Sequence, residues 1–247
     1  MVRVFIDFDG TITREDVGDA MFEHFGGEHC RAIVAEYRQG RLSAADCFRK
    51  ESESCGVVEI GSLNAFLDDR EIDRTFTDFI SFCESNSLAP CILSDGMDYY
   101  IRRILERHGL GRVTMFSNVL RFDETGEDGK VRFRPEFPFR DETCDRCACC
   151  KRNHLATMSA DDDIIVYIGE GYSDRCPAGY ADVVFAKDEL LTYCQSENIS
   201  YFEYVTFADI TERLGKLLSH KDAKGKPAGL RKRRQAVLAR QQLFMGE

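Results

Sequence analysis

Apolar residues fall along this chain in two patterns. Short runs dominated by apolar residues, Val2-Arg3-Val4-Phe5-Ile6, Pro90-Cys91-Ile92-Leu93, Ile164-Ile165-Val166-Tyr167-Ile168 and Val183-Val184-Phe185-Ala186, predict buried strands. Val113 to Val119 is also strand-like, and residues 120–134 predict a hairpin around the turn residues Thr125-Gly126-Glu127-Asp128-Gly129. Between these runs the apolar spacing becomes helical. Val17, Ala20, Met21 and Phe25 share one helical face, Ala32, Ile33 and Tyr37 another, and no strand is expected from Asp16 to about Phe66. Phe76, Phe79, Ile80 and Cys83 predict an amphipathic helix, a further helix covers about 97–108, and another opens near Lys151.

Strands alternating with helices predict an α/β fold, with a mostly parallel sheet covered on both faces. The helical stretch after the first strand is long for a crossover and predicts a small inserted cap. The expected organisation is therefore a core of residues 1–15 and 71–218, a helical cap of 16–70, and a basic C-terminal extension of 219–247, expected to be helical beyond a linker at 219–229.

Composition narrows the function classes. A chain of 247 residues that is 43% hydrophobic can bury a full core, and it contains no run of about 20 apolar residues that would span a membrane. The opening MVRVFIDFDG runs straight into a charged turn, so a cytoplasmic protein is expected. A net charge of -10 disfavours a large nucleic-acid footprint. Positive charge instead crowds the end of the chain, at Lys221, Lys224, Lys226, Arg231, Lys232, Arg233, Arg234 and Arg240, where a solvated helix is expected over a nucleic-acid arm. The 11 cysteines are expected to be reduced thiols.

The candidate chemistry stands at the ends of the predicted strands. Asp7 and Asp9 follow the first strand, and two neighbouring carboxylates can bind a hard cation or divide nucleophilic from acid/base work. Alone, an Asp-x-Asp pair is an ordinary exposed turn. Here it is followed in order by Ser94 with Gly96, a hydroxyl and backbone N–H groups able to cradle phosphate, then by Lys151 to neutralise it. Glu170 and Asp174 then add hard oxygen ligands suited to Mg²⁺.

Asp7-Phe8-Asp9-Gly10-Thr11, Ser94, Lys151 and the run Gly169-Glu170-Gly171-Tyr172-Ser173-Asp174 resemble, in order, the four motifs of the haloacid dehalogenase-like phosphatases. The resemblance covers roughly residues 2–215 and implies a Rossmann-like core with a helical cap, as in the phosphoserine phosphatase-like branch. By position, it implies that Asp7 attacks phosphorus to form an aspartyl-phosphate, and that Asp9 protonates the leaving oxygen and then activates water. Thr11, Ser94 and Lys151 would hold phosphoryl oxygens, with the Asp95 amide beside them. The Asp7 carboxylate, the Asp9 carbonyl, Glu170 and Asp174 would bind Mg²⁺. Two positions depart from the family pattern: Glu170 stands where Asp is usual, and Asp95 follows Ser94 where Gly is common, so its carboxylate must point away from phosphate or toward a cationic substrate group.

The implied partner is a small phosphorylated metabolite. Ser94-Asp95-Gly96-Met97-Asp98-Tyr99, Cys147-Ala148-Cys149-Cys150-Lys151 and the stretch from Val184 resemble the methionine-salvage phosphatases acting on 2-hydroxy-3-keto-5-methylthiopentenyl-1-phosphate. Gly171-Tyr172-Ser173-Asp174-Arg175-Cys176-Pro177 is similar to phosphoethanolamine/phosphocholine phosphatases, and phosphoserine is a further alternative. A non-catalytic phosphoester-binding regulator is the rival from another class, and the intact Asp7 and Asp9 speak against it. Asp16 and Asp19 are ordinary acids of a helix start or face the substrate from the cap. Cys144, Cys147, Cys149 and Cys150 are spaced poorly for one tetrahedral zinc and are expected to shape the loop before Lys151.

Overall fold

The computed structural model describes residues 1–142, 144, 146–220 and 229–245, without the side chains of 244 and 245. Most of the expected linker, residues 221–228 with Lys221, Lys224 and Lys226, lies outside the described residues. The chain runs β1 (Val2–Ile6), α1 (Val17–Gly26), α2 (His29–Arg38), α3 (Ala44–Cys55), β2 (Val58–Glu59), α4 (Ile60–Asp68) and α5 (Phe76–Ser85). It continues β3 (Ala89–Met97), α6 (Asp98–Arg107), β4 (Thr114–Glu124), β5 (Lys130–Glu136), α7 (Lys151–Thr157) and β6 (Ile164–Gly169). A short 3₁₀ turn at Tyr172–Asp174 precedes α8 (Arg175–Tyr180), β7 (Val183–Ala186), α9 (Asp188–Ser196), β8 (Phe202–Glu203), α10 (Phe207–Ser219) and α11 (Arg234–Met245).

These elements divide into two compact units. The first comprises Met1–Asp7, Ile72–Ile92 and Lys151–Glu247. Its strands lie in the order β3-β1-β6-β7-β8, with β1 parallel to β3 and β6, and β7 parallel to β6 and β8. Val4 is in register with Pro90 on one side and Val166 on the other, so the apolar runs read from the sequence lie side by side. Parallel strands aligned in this way carry their C-terminal ends to one rim, where Asp7 and Glu170 emerge. Phe76 and Phe79 of α5 pack against Phe207 of α10, with ring centroids 4.7 and 5.1 Å apart, and all three are fully buried. Burying a side chain of that size stabilises the fold by about 1.5–3 kcal/mol.

At the end of this unit the basic extension is partly spent on the protein itself. Arg240 donates to both oxygens of the buried Asp182 at 3.1 and 3.2 Å, and Arg233 donates to the carbonyls of Ala178 and Gly179 at the end of α8. Ala236, on α11, is fully buried.

The second unit comprises Phe8–Glu71 and Leu93–Cys150. Its strands follow the order β2-β5-β4-β3, with β5 antiparallel to both β2 and β4. The hairpin expected at 120–134 is present but longer, since β4 is one strand from Thr114 to Glu124. Two expectations need correction. The helical stretch from Asp16 is interrupted by β2, which is too short to read locally and exists through its pairing of Val58 with Val131. The strand read as Pro90-Cys91-Ile92-Leu93 does not end before Ser94, because β3 continues through Ser94, Asp95 and Gly96 to Met97.

Local signals explain the helix ends. Asp16 caps α1 by accepting the Asp19 N–H at 2.8 Å, and Ser43 caps α3 by accepting that of Asp46. Gly27 and Gly56 close those helices at φ 87° and 61°, a backbone region that favours glycine. No helix among the described residues is long and apolar enough to cross a membrane.

Candidate active site

The chain passes from the first unit to the second between Asp7 and Phe8 and again between Ile92 and Leu93. The residues singled out by sequence divide accordingly: Asp7, Lys151, Glu170 and Asp174 belong to the first unit, and Asp9, Thr11, Ser94 and Asp95 to the second.

In the first unit, everything is organised around the first residue of α7. Lys151 is 0% exposed, and its ammonium donates to Asp7 Oδ1 at 2.6 Å, Asp174 Oδ1 at 2.7 Å and Ser173 Oγ at 3.0 Å. An ammonium has three N–H donors, so all are used. Burial would strip its proton, but Asp174, and after it Asp7, outweigh that cost and hold it charged well above the ordinary lysine range.

Asp174 is equally committed. Its Oδ1 also accepts the Tyr167 hydroxyl, and its Oδ2 accepts the N–H groups of Glu170 and Gly171 at 2.9 and 3.0 Å. A side chain at Gly169 would place its Cβ 2.5 Å from Asp174 Oδ2, so the strand end must be glycine for this carboxylate to fit.

Glu170 behaves differently. Its carboxylate is half-buried and accepts no hydrogen bond among the described residues. Burial first, then the charges of Asp174 and Asp188, push its pKa up to about 7. An acid crowded by acids and lacking a donor is chemically suited to a divalent cation, which would relieve both effects. No cluster of three or more His, Cys, Asp or Glu groups among the described residues is gathered to enclose an ion. Mg²⁺ normally binds through one or two carboxylates, with waters and substrate phosphate completing its shell, and does not require such an enclosure.

In the second unit the focus is Asp9. One oxygen accepts the N–H groups of Val17 and Gly18, at the start of α1, at 3.1 and 3.3 Å; the other accepts the Tyr100 and Ser94 hydroxyls at 2.8 and 3.2 Å. Desolvation raises its pKa to about 6 even though Tyr100, Gly18, Ser94 and Val17 all favour its charged form. The Ser94 hydroxyl is itself fixed by the Gly96 N–H at 2.9 Å. Gly10, at φ 67°, turns the chain so that its N–H meets Thr13 Oγ1 at 3.0 Å, and Thr11 is buried inside that turn.

Asp95 points elsewhere. Its Oδ1 accepts the N–H groups of Ala148 and Cys149 at 2.7 and 2.8 Å, so its carboxylate tethers the cysteine loop that leads into Lys151. Cys147, Cys149 and Cys150 are buried there, and no metal-holding group forms among the described cysteines. Asp16 is spent capping α1. Asp19 is exposed, and desolvation by its neighbours raises its pKa. Glu51 on α3 is pushed up to about 8 by burial and then by Asp19.

Sequence reasoning assigned no role to Tyr100, Tyr167 or Ser173. The two tyrosines read as core aromatics, and both are fully buried, but each hydroxyl is aimed at one of the acids. The available signal was Gly96, where a Cβ would come within 1.8 Å of the Tyr100 hydroxyl oxygen.

The chain is similar to known proteins in sequence and in fold. The family described as "Putative Phosphatase" matches residues 2–197. The 2-hydroxy-3-keto-5-methylthiopentenyl-1-phosphate phosphatase of Bacillus mycoides (strain KBAB4) is 29% identical over 222 residues, covering 89% of this chain and 99% of that protein. Pdp3-interacting factor 1 of Schizosaccharomyces pombe (strain 972 / ATCC 24843) is 30% identical over 236 residues, covering 87% and 95%. A phosphoserine phosphatase solved as a phospho-aspartyl intermediate analogue shares the fold, with a TM-score of 0.64 at 18% identity, over 86% of this chain and 99% of that one.

Proposed function

Because the chain belongs to this phosphatase family, we propose that it is a cytoplasmic, Mg²⁺-dependent enzyme that hydrolyses a small phosphate monoester through a covalent intermediate on Asp7. The observation that carries this reading is the buried contact of Asp7 with Lys151, itself anchored by Asp174. A carboxylate hydrogen-bonded to an ammonium is held in a fixed orientation for attack, and the ammonium can exchange one of its bonds for a phosphoryl oxygen.

Asp9 is suited to the proton. With its pKa near 6 it can carry a proton to the leaving oxygen and, once ionised, take one from the water that hydrolyses the intermediate. Tyr100 and the start of α1 hold it in place through both steps. The Ser94 hydroxyl and the buried Thr11, with Lys151, would bind the phosphoryl oxygens, and the Asp95 amide would assist. Asp95's carboxylate serves the loop before Lys151 instead.

Asp7, the Asp9 carbonyl and Glu170 would hold Mg²⁺, whose charge offsets that of the phosphate during transfer. Asp174, with both oxygens already occupied by donors, acts chiefly by positioning Lys151. Residues 16–70 would form the cap that chooses the substrate. The relation to the Bacillus protein makes 2-hydroxy-3-keto-5-methylthiopentenyl-1-phosphate the first candidate.

The test is a phosphate-release screen over that ester, phosphoserine, phosphoethanolamine and phosphocholine, run with wild type and Asp7→Asn. Turnover of one ester that is abolished in Asp7→Asn and silenced reversibly by chelation supports the reading. Wild-type turnover in the variant refutes the mechanism, and no hydrolysis of any ester points to the non-catalytic alternative.

A further inference from the structure

Residue 167 lies in the middle of β6, in register with Phe5 of β1 on one side and Val184 of β7 on the other, and packing there asks only for a large apolar side chain. Phenylalanine would meet that need without burying a hydroxyl, which is unfavourable unless the group is hydrogen-bonded. Tyr167 is fully buried, and its hydroxyl donates to Asp174 Oδ1, the same oxygen that accepts the Lys151 ammonium at 2.7 Å.

A carboxylate oxygen offers about two acceptor sites. On Asp174 Oδ2 they are filled by the Glu170 and Gly171 N–H groups at 2.9 and 3.0 Å, and on Oδ1 by Lys151 and Tyr167. Gly169, two residues along and on the same strand face as Tyr167, packs flush with this carboxylate, since an added Cβ would stand 2.5 Å from Oδ2. Asp174 is thus saturated, and its charge is divided among four donors. Lys151 directs its remaining bonds to Asp7 Oδ1 at 2.6 Å and Ser173 Oγ at 3.0 Å. Without the phenol, the second site on Oδ1 would open, and an undivided carboxylate would draw the ammonium toward Asp174 and away from Asp7.

We infer that Tyr167 is a positioning residue for phosphoryl transfer: by holding one acceptor site of Asp174 Oδ1, its hydroxyl keeps the Lys151 ammonium directed at Asp7 and at the phosphoryl oxygens. The inference rests on the proposed roles of Asp7 and Lys151, and adds to them a group that acts through Asp174.

The test compares the full chain with Tyr167→Phe, which keeps the ring, in Mg²⁺ buffer at a temperature where circular dichroism shows both fully folded. For an alkyl and an aryl phosphate, kcat/KM should fall on the order of tenfold, well short of the loss when a transition-state donor is removed outright. Both esters should lose the same factor, because the ammonium serves the phosphoryl group and not the leaving oxygen. Where esters are turned over, these rates decide. A hydroxyl with a structural role alone would lower the unfolding temperature and leave kcat/KM unchanged; that result, or a loss confined to the alkyl ester, overturns the inference and leaves the role of Asp7 standing. If wild type hydrolyses no ester, the proposed hydrolysis fails, and the dissociation constant of inorganic phosphate, measured by titration calorimetry, decides instead. Weaker binding in Tyr167→Phe then upholds the positioning role, and equal constants or no binding overturn it. Should Tyr167→Phe fail to fold, 3-fluorotyrosine at position 167 supplies a stronger donor of nearly the same shape. It should tighten phosphate binding, and an unchanged or weaker constant overturns the inference.

Discussion

The Tyr100 hydroxyl donates to Asp9 Oδ2 at 2.8 Å, and the two can meet only because residue 96 lacks a side chain: a Cβ there would stand 1.8 Å from the tyrosine oxygen and 2.5 Å from that same carboxylate oxygen. The aromatic ring, the glycine and the acid are one arrangement. Tyr100→Phe should therefore lower hydrolysis of an alkyl phosphate by on the order of tenfold, a fraction of the full acid/base contribution. The loss should be smaller for an aryl phosphate whose leaving group needs no proton. Steady-state rates on both esters decide the matter, and equal losses would remove Tyr100 from the proton step. Gly96→Ala should impair both esters, because the clash displaces the whole arrangement.

Asp174 is predicted to matter for stability as well as for rate. Asp174→Asn leaves the buried Lys151 with half its charge compensation and turns an acceptor toward two N–H donors into an ambiguous amide. Removing one partner of a buried ion pair typically costs about 3–5 kcal/mol. Urea unfolding should show a lowered midpoint with an unchanged slope. Gly169→Ala should act in the same direction, through contact with the same carboxylate.

Glu51 predicts a pH dependence of folding. Its pKa is raised from 4.5 to about 8 in the folded chain, so the protonated form is the one the fold favours. At pH below 4.5 its contribution is fully present. As pH rises from there the unfolded chain ionises first, and stability declines until about pH 8, where the folded group has also ionised. The total is on the order of 3–5 kcal/mol at most. Glu51→Gln should flatten this part of the profile, measured as urea midpoints between pH 5 and 8. Parallel profiles for the variant and wild type would show that Glu51 is not the group responsible.

Arg240→Ala should destabilise the first unit, since it leaves the Asp182 carboxylate, buried and shared with the Ile165 and Arg233 N–H groups, without its guanidinium. The expected cost is about 3 kcal/mol. Asp182→Asn should cost less in the Arg240→Ala background than in wild type. A double-mutant cycle in thermal unfolding measures this coupling, and strict additivity would contradict it.

The strand runs that form β1, β6 and β7 were legible because short stretches rich in β-branched and aromatic residues, bounded by turn or acidic residues, favour strands. Asp7 stood out in the sequence as a polar group directly after β1, whereas Lys151, at the start of α7, and Asp174, in the 3₁₀ turn, were singled out by their order along the chain, and these three meet in the first unit. β2 was not legible, since two residues carry no period and Val58 becomes a strand only by meeting Val131. The end of β3 was not legible either, since Ser94-Asp95-Gly96 follows the apolar run with polar and small residues, yet the strand continues through it to Met97. Tyr100 and Tyr167 were hidden for a related reason: a buried tyrosine and a buried phenylalanine look alike in a pattern of apolar positions, and only coordinates reveal where the hydroxyl points.

The clasp between Asp182 and Arg240 bears on how the molecule is made. Its halves are 58 residues apart. A ribosome delivers the acid long before the base, by which time all of residues 8–71 and 93–150 have been synthesised. Until the last helix emerges, the nascent chain must shelter a carboxylate that has no counter-ion. Premature termination short of that arginine would release a protein with its acidic chemistry intact in sequence but with an unneutralised charge beneath its surface, a natural target for quality control.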